Sequence, residues 1–158
     1  MAARAEALAQ QFETKAREAT SVIERLSDAD WKKVTAAEKW PVGVVAHHIA
    51  VAHEILAGIV KNVAEGKAGP SIRMADLDAM NAKHAHDFAG CSKAETLALH
   101  QKNAAAAAAV VRGLGDQQLG KSAVVITEAP AMSAEQLSAL LSGHVDEHLA
   151  SIRKTVGG

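Results

Sequence analysis

Ser142-Gly143-His144-Val145-Asp146-Glu147-His148-Leu149-Ala150-Ser151-Ile152-Arg153 sets two histidines four residues apart, which places them on one face of a helix. Reading back from His144 at helical spacing gives Leu141, Leu140 and Leu137, and reading forward from His148 gives Ile152. Both imidazoles therefore lie on the apolar stripe and point inward. A histidine pair of this kind is by itself an ordinary feature of a helix. What gives it weight must come from elsewhere in the chain.

The composition points to packed helices. Hydrophobic residues make up 49% of the 158 positions, yet aromatics are 3% and tyrosine is absent, so much of the apolar content is alanine. Small side chains favour close helix packing over a β-sandwich. A chain of this length predicts one domain, spanning 1–158, with a core that needs no disulfide. Lys and Arg number 17 and Asp and Glu 18, with no long run of either sign, so neither nucleic acid nor a membrane surface is an expected partner. Cys91 stands alone, and Arg4, Glu6 and Glu13 interrupt any apolar leader, which predicts a cytoplasmic protein. The most apolar window, Val42 to Val60, carries His47, His48, His53 and Glu54 and falls short of the ~18 uninterrupted apolar residues of a span.

Taken in order, residues 2 to 26 predict an amphipathic helix on Leu8, Phe12, Ala16, Ala19, Val22, Ile23 and Leu26. Ser27-Asp28-Ala29-Asp30 supplies cap chemistry for a short turn holding Trp31 and Val34, and Thr35 to Lys39 reads as surface connection. Trp40-Pro41 starts a second long helix to about Glu65, whose main stripe is Val44, Val45, His48, Val51, Ala52, Ile55 and Ile59. His47 lies one residue round, towards Glu54 and Gly58, and His53 lies opposite, facing a second packed helix. Gly66 to Ser71 is a loop, Asp76 to Phe88 a weaker helix, and Ser92-x-x-Glu95 caps a long helix to about Leu114. Asp116 to Ala131 predicts a packed loop or one short strand. Ser133-x-x-Gln136 opens the last helix, which Gly157-Gly158 stops after Val156. The sum is an all-α chain, an antiparallel four-helix bundle with an additional short helix in one connection.

His48, His144 and His148 then share a problem. Three buried imidazoles leave several ring nitrogens to satisfy, and a core poor in aromatics and without tyrosine has few hydroxyls to offer. A divalent metal satisfies them together, and three protein ligands leave one position open for water or substrate. Imidazole is the commonest protein ligand for Zn and a good one for Ni, Fe or Cu, and Zn or Ni is the expectation. His84 and His86 diverge on a helix and are expected at the surface, as is His100 among Glu95, Gln101 and Lys102. Cys91, at an element end, is a small hydrophobe or a loop-borne ligand. No residue reads as a general base: Glu147 is a solvated carboxylate or one that holds a ligand from behind, and Trp40 walls the pocket or simply packs. His53, Leu56 and Val60 leave a spare apolar face on the second long helix, to be covered by another helix or by a second subunit, and a homodimer is the expectation.

Trp40-Pro41 followed by His47-His48-Ile49, and much later by His144-x-x-x-His148-Leu149-x-x-Ile152-Arg153, resembles the DinB-like or YfiT-like superfamily of metal-binding bundles. The resemblance spans nearly the whole chain, including Leu77-Asp78-Ala79-Met80-Asn81-Ala82. It implies a bundle with a long crossover and a metal held by His48, His144 and His148. Members include thiol S-transferases using bacillithiol or mycothiol, a mycothiol-dependent isomerase and metal-dependent hydrolases. The resemblance thus implies a small-molecule substrate and a low-molecular-weight thiol, with transfer of that thiol to an electrophile the first reading. Metal-assisted hydrolysis is the second, and a bundle that binds metal or a small ligand without turnover is the third. The fold alone does not choose among them.

Overall fold

The apolar periodicity of the first stretch folds as α1 (Ala3–Arg25), and the Trp-Pro start leads into α3 (Val42–Ala64) after a one-turn α2 (Asp28–Lys32). The capped segments become α5 (Lys93–Arg112) and α7 (Ala134–Val156), with α4 (Met74–Asp87) and α6 (Asp116–Leu119) in the connections. A computed structural model describes residues 2–157. Ser133 caps α7 in a full capping box with Gln136, and Gly157 ends it at φ 83, the left-handed region that glycine enters at little cost. In and just after Asp116 to Ala131 lies a minimal ladder, β1 (Ser122–Ala123) antiparallel to β2 (Met132–Ser133), where a packed loop or one short strand was expected. A further bridge joins Ile72 to Ile126.

Around the bundle the order is α1, α5, α3, α7, so α1 faces α3 across a diagonal and α5 faces α7 likewise. Cross-helix partners fix the directions. Arg4 pairs with Glu135 and Lys15 with Asp146, so α1 and α7 run parallel. Arg112 reaches Glu6 and Glu13 on α1 while Lys93 donates to the Glu24 carbonyl, so α1 and α5 run antiparallel. Asn103 donates to the Ala50 carbonyl and the Cys91 thiol lies against that of Gly43, which makes α3 and α5 parallel. The fully antiparallel arrangement thus sharpens to up-down-down-up. After α3 the chain must return the length of the bundle before α5 begins, and α4 makes that return.

One core cluster holds Phe12, Ile23, Val45, Ile49, Leu141, Leu149 and Ile152, with Ala104, Ala107 and Ala108 bringing α5 close. A second, at the end where α3 stops, holds Val60, Val63, Leu114, Leu119 and Leu137. By length and composition α3 could span a bilayer, but 61% of its most apolar window is buried inside the bundle. Its expected spare face is not spare: His53 and Val60 are 1% and 0% exposed, because α1 and α5 cover that side. Leu56 also packs against the core, so this face gives no reason for a dimer.

The expectation that His100 is solvated is overturned as well. It is fully buried, with Nδ1 3.0 Å from His53 Nε2 and Nε2–H donating to the Ala16 carbonyl at 2.9 Å. That tautomer makes His100 Nδ1 the acceptor of a proton on His53 Nε2. Phe12 meets His53 edge-on at 5.1 Å. Burial, then the neighbouring His100, pushes His53 down to about 3, and burial also lowers His100. Both groups titrate nearer 6.5 when unfolded, so their protonation favours the unfolded chain. Their contribution is complete above pH ~6.5 and is lost as pH falls towards the folded values, at up to ~1.4 kcal/mol per pH unit per group. Urea unfolding from pH 7 to 4.5 should show this loss, and a flat profile would remove the argument.

Trp31 closes the other end. Its indole N–H donates to the Cys91 carbonyl at 3.0 Å, and the ring lies so close over Gly43 that an added Cβ would sit 2.3 Å from it. Gly43→Ala should therefore cost about 1–3 kcal/mol despite the better helix propensity of alanine. Denaturation followed by tryptophan fluorescence will read both the loss and the displaced indole.

Candidate metal centre

α3 and α7 are neighbours, and their antiparallel contact brings His48 between the two histidines of α7. His48 Nε2 lies 3.1 Å from His144 Nε2, which lies 3.2 Å from His148 Nε2. The ligand atoms of all three residues fall within 4.8 Å of one another. The structure thus brings together the three histidines singled out from the sequence, His48, His144 and His148.

The loop before α3 supplies what the sequence reading missed. Thr35 to Lys39 is surface connection only in part: Ala36, Ala37 and Lys39 are exposed, but Thr35 is 1% exposed and its N–H donates to the Trp40 carbonyl at 2.9 Å. Lys39 closes this turn at φ 62, a conformation seldom taken by a side-chain-bearing residue. The turn aims Glu38 inward. Glu38 Oε1 lies 3.0 Å from His148 Nδ1, and Oε2 accepts from the Ser151 hydroxyl at 2.6 Å. Burial works to raise the Glu38 carboxyl, but hydrogen bonds from Ser151, Thr35 and His148 outweigh it and hold the group below its ordinary value. An ionised carboxylate only accepts, so His148 Nδ1 carries the proton and Nε2 presents its lone pair to the cluster. Glu147, the carboxylate singled out from sequence, is exposed.

Burial, the largest cause, pushes His48 down to about 4 and His144 to about 3. Both are neutral at pH 7, the form that ligates a metal. His144 turns Nε2 to the cluster although this leaves Nδ1 buried without a partner among the described residues. Three converging ring nitrogens, one fixed as a lone pair by Glu38, cannot all satisfy one another. A cation would accept all three, and three neutral imidazoles are a donor set that could hold a metal ion. The residues present fit the group that the sequence implied.

The other histidines hold the neighbouring structure. His84 is not a surface residue: its Nε2 lies 2.7 Å from His47 Nδ1, and both rings pack with Phe88, that of His47 stacked at 4.2 Å. The His84 ring also meets that of His48 edge-on at 5.8 Å. Burial lowers the basicity of His47 and of His84. His86 is exposed, as expected. Trp40 meets His48 edge-on at 5.5 Å, on the loop side of the site. Cys91, with its thiol on the Gly43 carbonyl and its basicity raised by burial, stands outside the trio.

Fold and cluster define a helical bundle of up-down-down-up topology with a histidine-rich centre between its second and fourth long helices. The chain belongs to the DinB superfamily, whose model matches residues 11–152. No curated protein matches it. Its fold is similar to that of mycothiol-dependent maleylpyruvate isomerase, with a TM-score of 0.75 at 13% identity over 96% of this chain and 63% of that one. A mutant of the isomerase superposes equally well, with a TM-score of 0.76 at 11% identity over the same shares. It is also similar to YfiT from Bacillus subtilis, described as a probable metal-dependent hydrolase with an unusual four-helix bundle topology, with a TM-score of 0.74 at 21% identity over 99% of this chain and 90% of that one. The chain thus spans 63% of the length of the isomerase.

Glu38 orients His148 without entering the trio. Glu38→Gln removes the charge that fixes the tautomer, and zinc affinity by calorimetry should fall about 10- to 100-fold with the helical circular dichroism unchanged. Unaltered affinity would remove Glu38 from the site.

Proposed function

We propose that the chain is a metal-dependent enzyme in which His48, His144 and His148 hold one divalent cation, Zn or Ni. The convergence of their Nε2 atoms, with Glu38 behind His148, carries this reading. A cation bound there would act as a Lewis acid and lower the pKa of a thiol or water at the open position. The work of the chain's own residues is positional. Glu38 and Ser151 fix the ring of His148, Trp40 covers the edge of His48, and burial keeps His48 and His144 unprotonated.

For the reaction, we favour transfer of a low-molecular-weight thiol such as mycothiol or bacillithiol to an electrophilic small molecule. Support comes from membership of the superfamily and the likeness of fold to a mycothiol-dependent enzyme. Metal-assisted hydrolysis is the second reading, favoured by the fact that the chain covers nearly the whole of YfiT. A metal-binding bundle without turnover would share the site and lack both activities.

Protein purified without a histidine tag should carry about one equivalent of metal per chain by elemental analysis, and the His148→Ala variant less than a tenth of that. Near-zero metal in both samples would overturn the reading. With metal present, thiol-dependent conversion of 1-chloro-2,4-dinitrobenzene should be lost on chelation and return with Zn or Ni. Ester or amide turnover without thiol would favour hydrolysis, and neither activity would leave a binding protein.

A further inference from the structure

The face of α3 that carries His48 continues for two more turns as Val51 and Ile55. Antiparallel register against α7 sets His48 opposite His144 and His148, so Ile55 comes level with Leu140, one turn before His144. On the remaining side α4 runs antiparallel to α3 with His84 on His47, which brings Met80 and Leu77 level with Val51 and Ile55. Three of these side chains are left open: Ile55 is 48% exposed, Met80 49% and Leu140 41%. Sequence periodicity had directed Ile55 and Leu140 into the core. Single exposed aliphatic residues need no explanation, but three within about one turn of one another along adjoining helices, next to the histidine trio, form a surface that calls for an apolar occupant. Gly143, next to His144, adds room, since a Cβ there would meet nothing within 4 Å.

Charge narrows the occupant. Lys61 is the one Lys or Arg of α3, those of α7 are Arg153 and Lys154 in its last turn, and Lys83 of α4 is paired with Asp87. Glu54 and Glu147 are the exposed charges flanking the face. A substrate bearing a carboxylate or phosphate would find no counter-charge there, whereas a neutral apolar group would cover aliphatic surface that water now wets.

We propose that this face is the substrate groove of the metal centre, and that it takes a neutral molecule whose apolar portion lies along Val51, Ile55, Met80 and Leu140 with its reactive end at the histidine trio. The inference rests on the metal-centre reading above. It makes Ile55, Met80 and Leu140 specificity residues, which touch the substrate away from the reacting atoms.

Binding to the zinc-loaded protein tests it. Aceto-, butyro- and octanohydroxamate and the monohydroxamate of succinic acid present the same metal-binding head with different tails, and calorimetry gives their affinities. Octanohydroxamate should bind at least tenfold more tightly than acetohydroxamate, and the carboxylate-tipped compound no more tightly than acetohydroxamate. Ile55→Lys and Leu140→Lys, both at exposed positions, should each erase the gain with tail length while zinc content and acetohydroxamate affinity stay unchanged. Equal affinities with zinc retained would overturn the groove and leave the metal centre standing. Failure of the unaltered protein to hold zinc would overturn both. A dimer that Ile55→Lys converts to a monomer, with no dependence on tail length, would assign the face to self-association and overturn the proposal.

Discussion

Everything at the candidate centre depends on the register of α3 against α7. An i, i+4 pair on α7 spans one turn, and His48 meets both of its members only at one setting of the antiparallel contact. A slip of one residue on α3 would swing His48 by ~100° and present Ile49 or His47 instead. That setting is held by the core, because Leu141, Val145, Leu149 and Ile152 of α7 share one buried cluster with Val45, Ile49 and Ala57 of α3. Hydrophobic burial is insensitive to direction, but packing at crystal-like density is not, and here it fixes the geometry of a polar site.

The histidines also stand where another bundle would place aromatic residues. His53 and His100 form a buried pair against Phe12, His47 stacks on Phe88 with His84 tilted beside it, and His48 lies against Trp40. Three of the four aromatic residues of this chain, Phe12, Trp40 and Phe88, thus lie on its imidazoles, and alanines of α5 fill space in the core. Burial keeps an imidazole neutral, but its nitrogens lose water and need other partners, so each cluster carries its own solution. His53 and His100 end on the Ala16 carbonyl, His148 ends on Glu38, and the trio is left with lone pairs that converge.

Much of this was legible in the chain. The long helices fall within a residue or two of their predicted bounds because periodicity, the caps at Ser92 and Ser133 and the Trp-Pro start all point the same way. The trio was legible because two ligands share one helix face and the third sits on an apolar stripe. Glu38 was not, since a turn closed by Thr35, Lys39 and Trp40 leaves no periodic signal and its partner His148 is distant in sequence. His100 was misread from its immediate neighbours. At spacings of three and four it lines up with Thr96, Asn103, Ala104, Ala107 and Val111, all buried, and that stripe carried the better signal. Ile55 and Leu140 mark the opposite limit, because periodicity says which residues share a face and not whether a neighbour covers it.

The topology supplies the last step. Because α3 and α5 run parallel, a crossing segment is obligatory, and its course takes α4 past His47 and His48. None of the residues of α4 is fully buried. It is held mainly at its ends, by Glu128 accepting from the Met74 N–H and by the Ile72–Ile126 bridge below, and by His84 and Phe88 on His47 above. A helix with few buried contacts opens at lower free energy than the bundle it crosses. The segment that the fold needs to join its two parallel helices is therefore also the one able to move beside the histidine trio without disturbing the register that forms it.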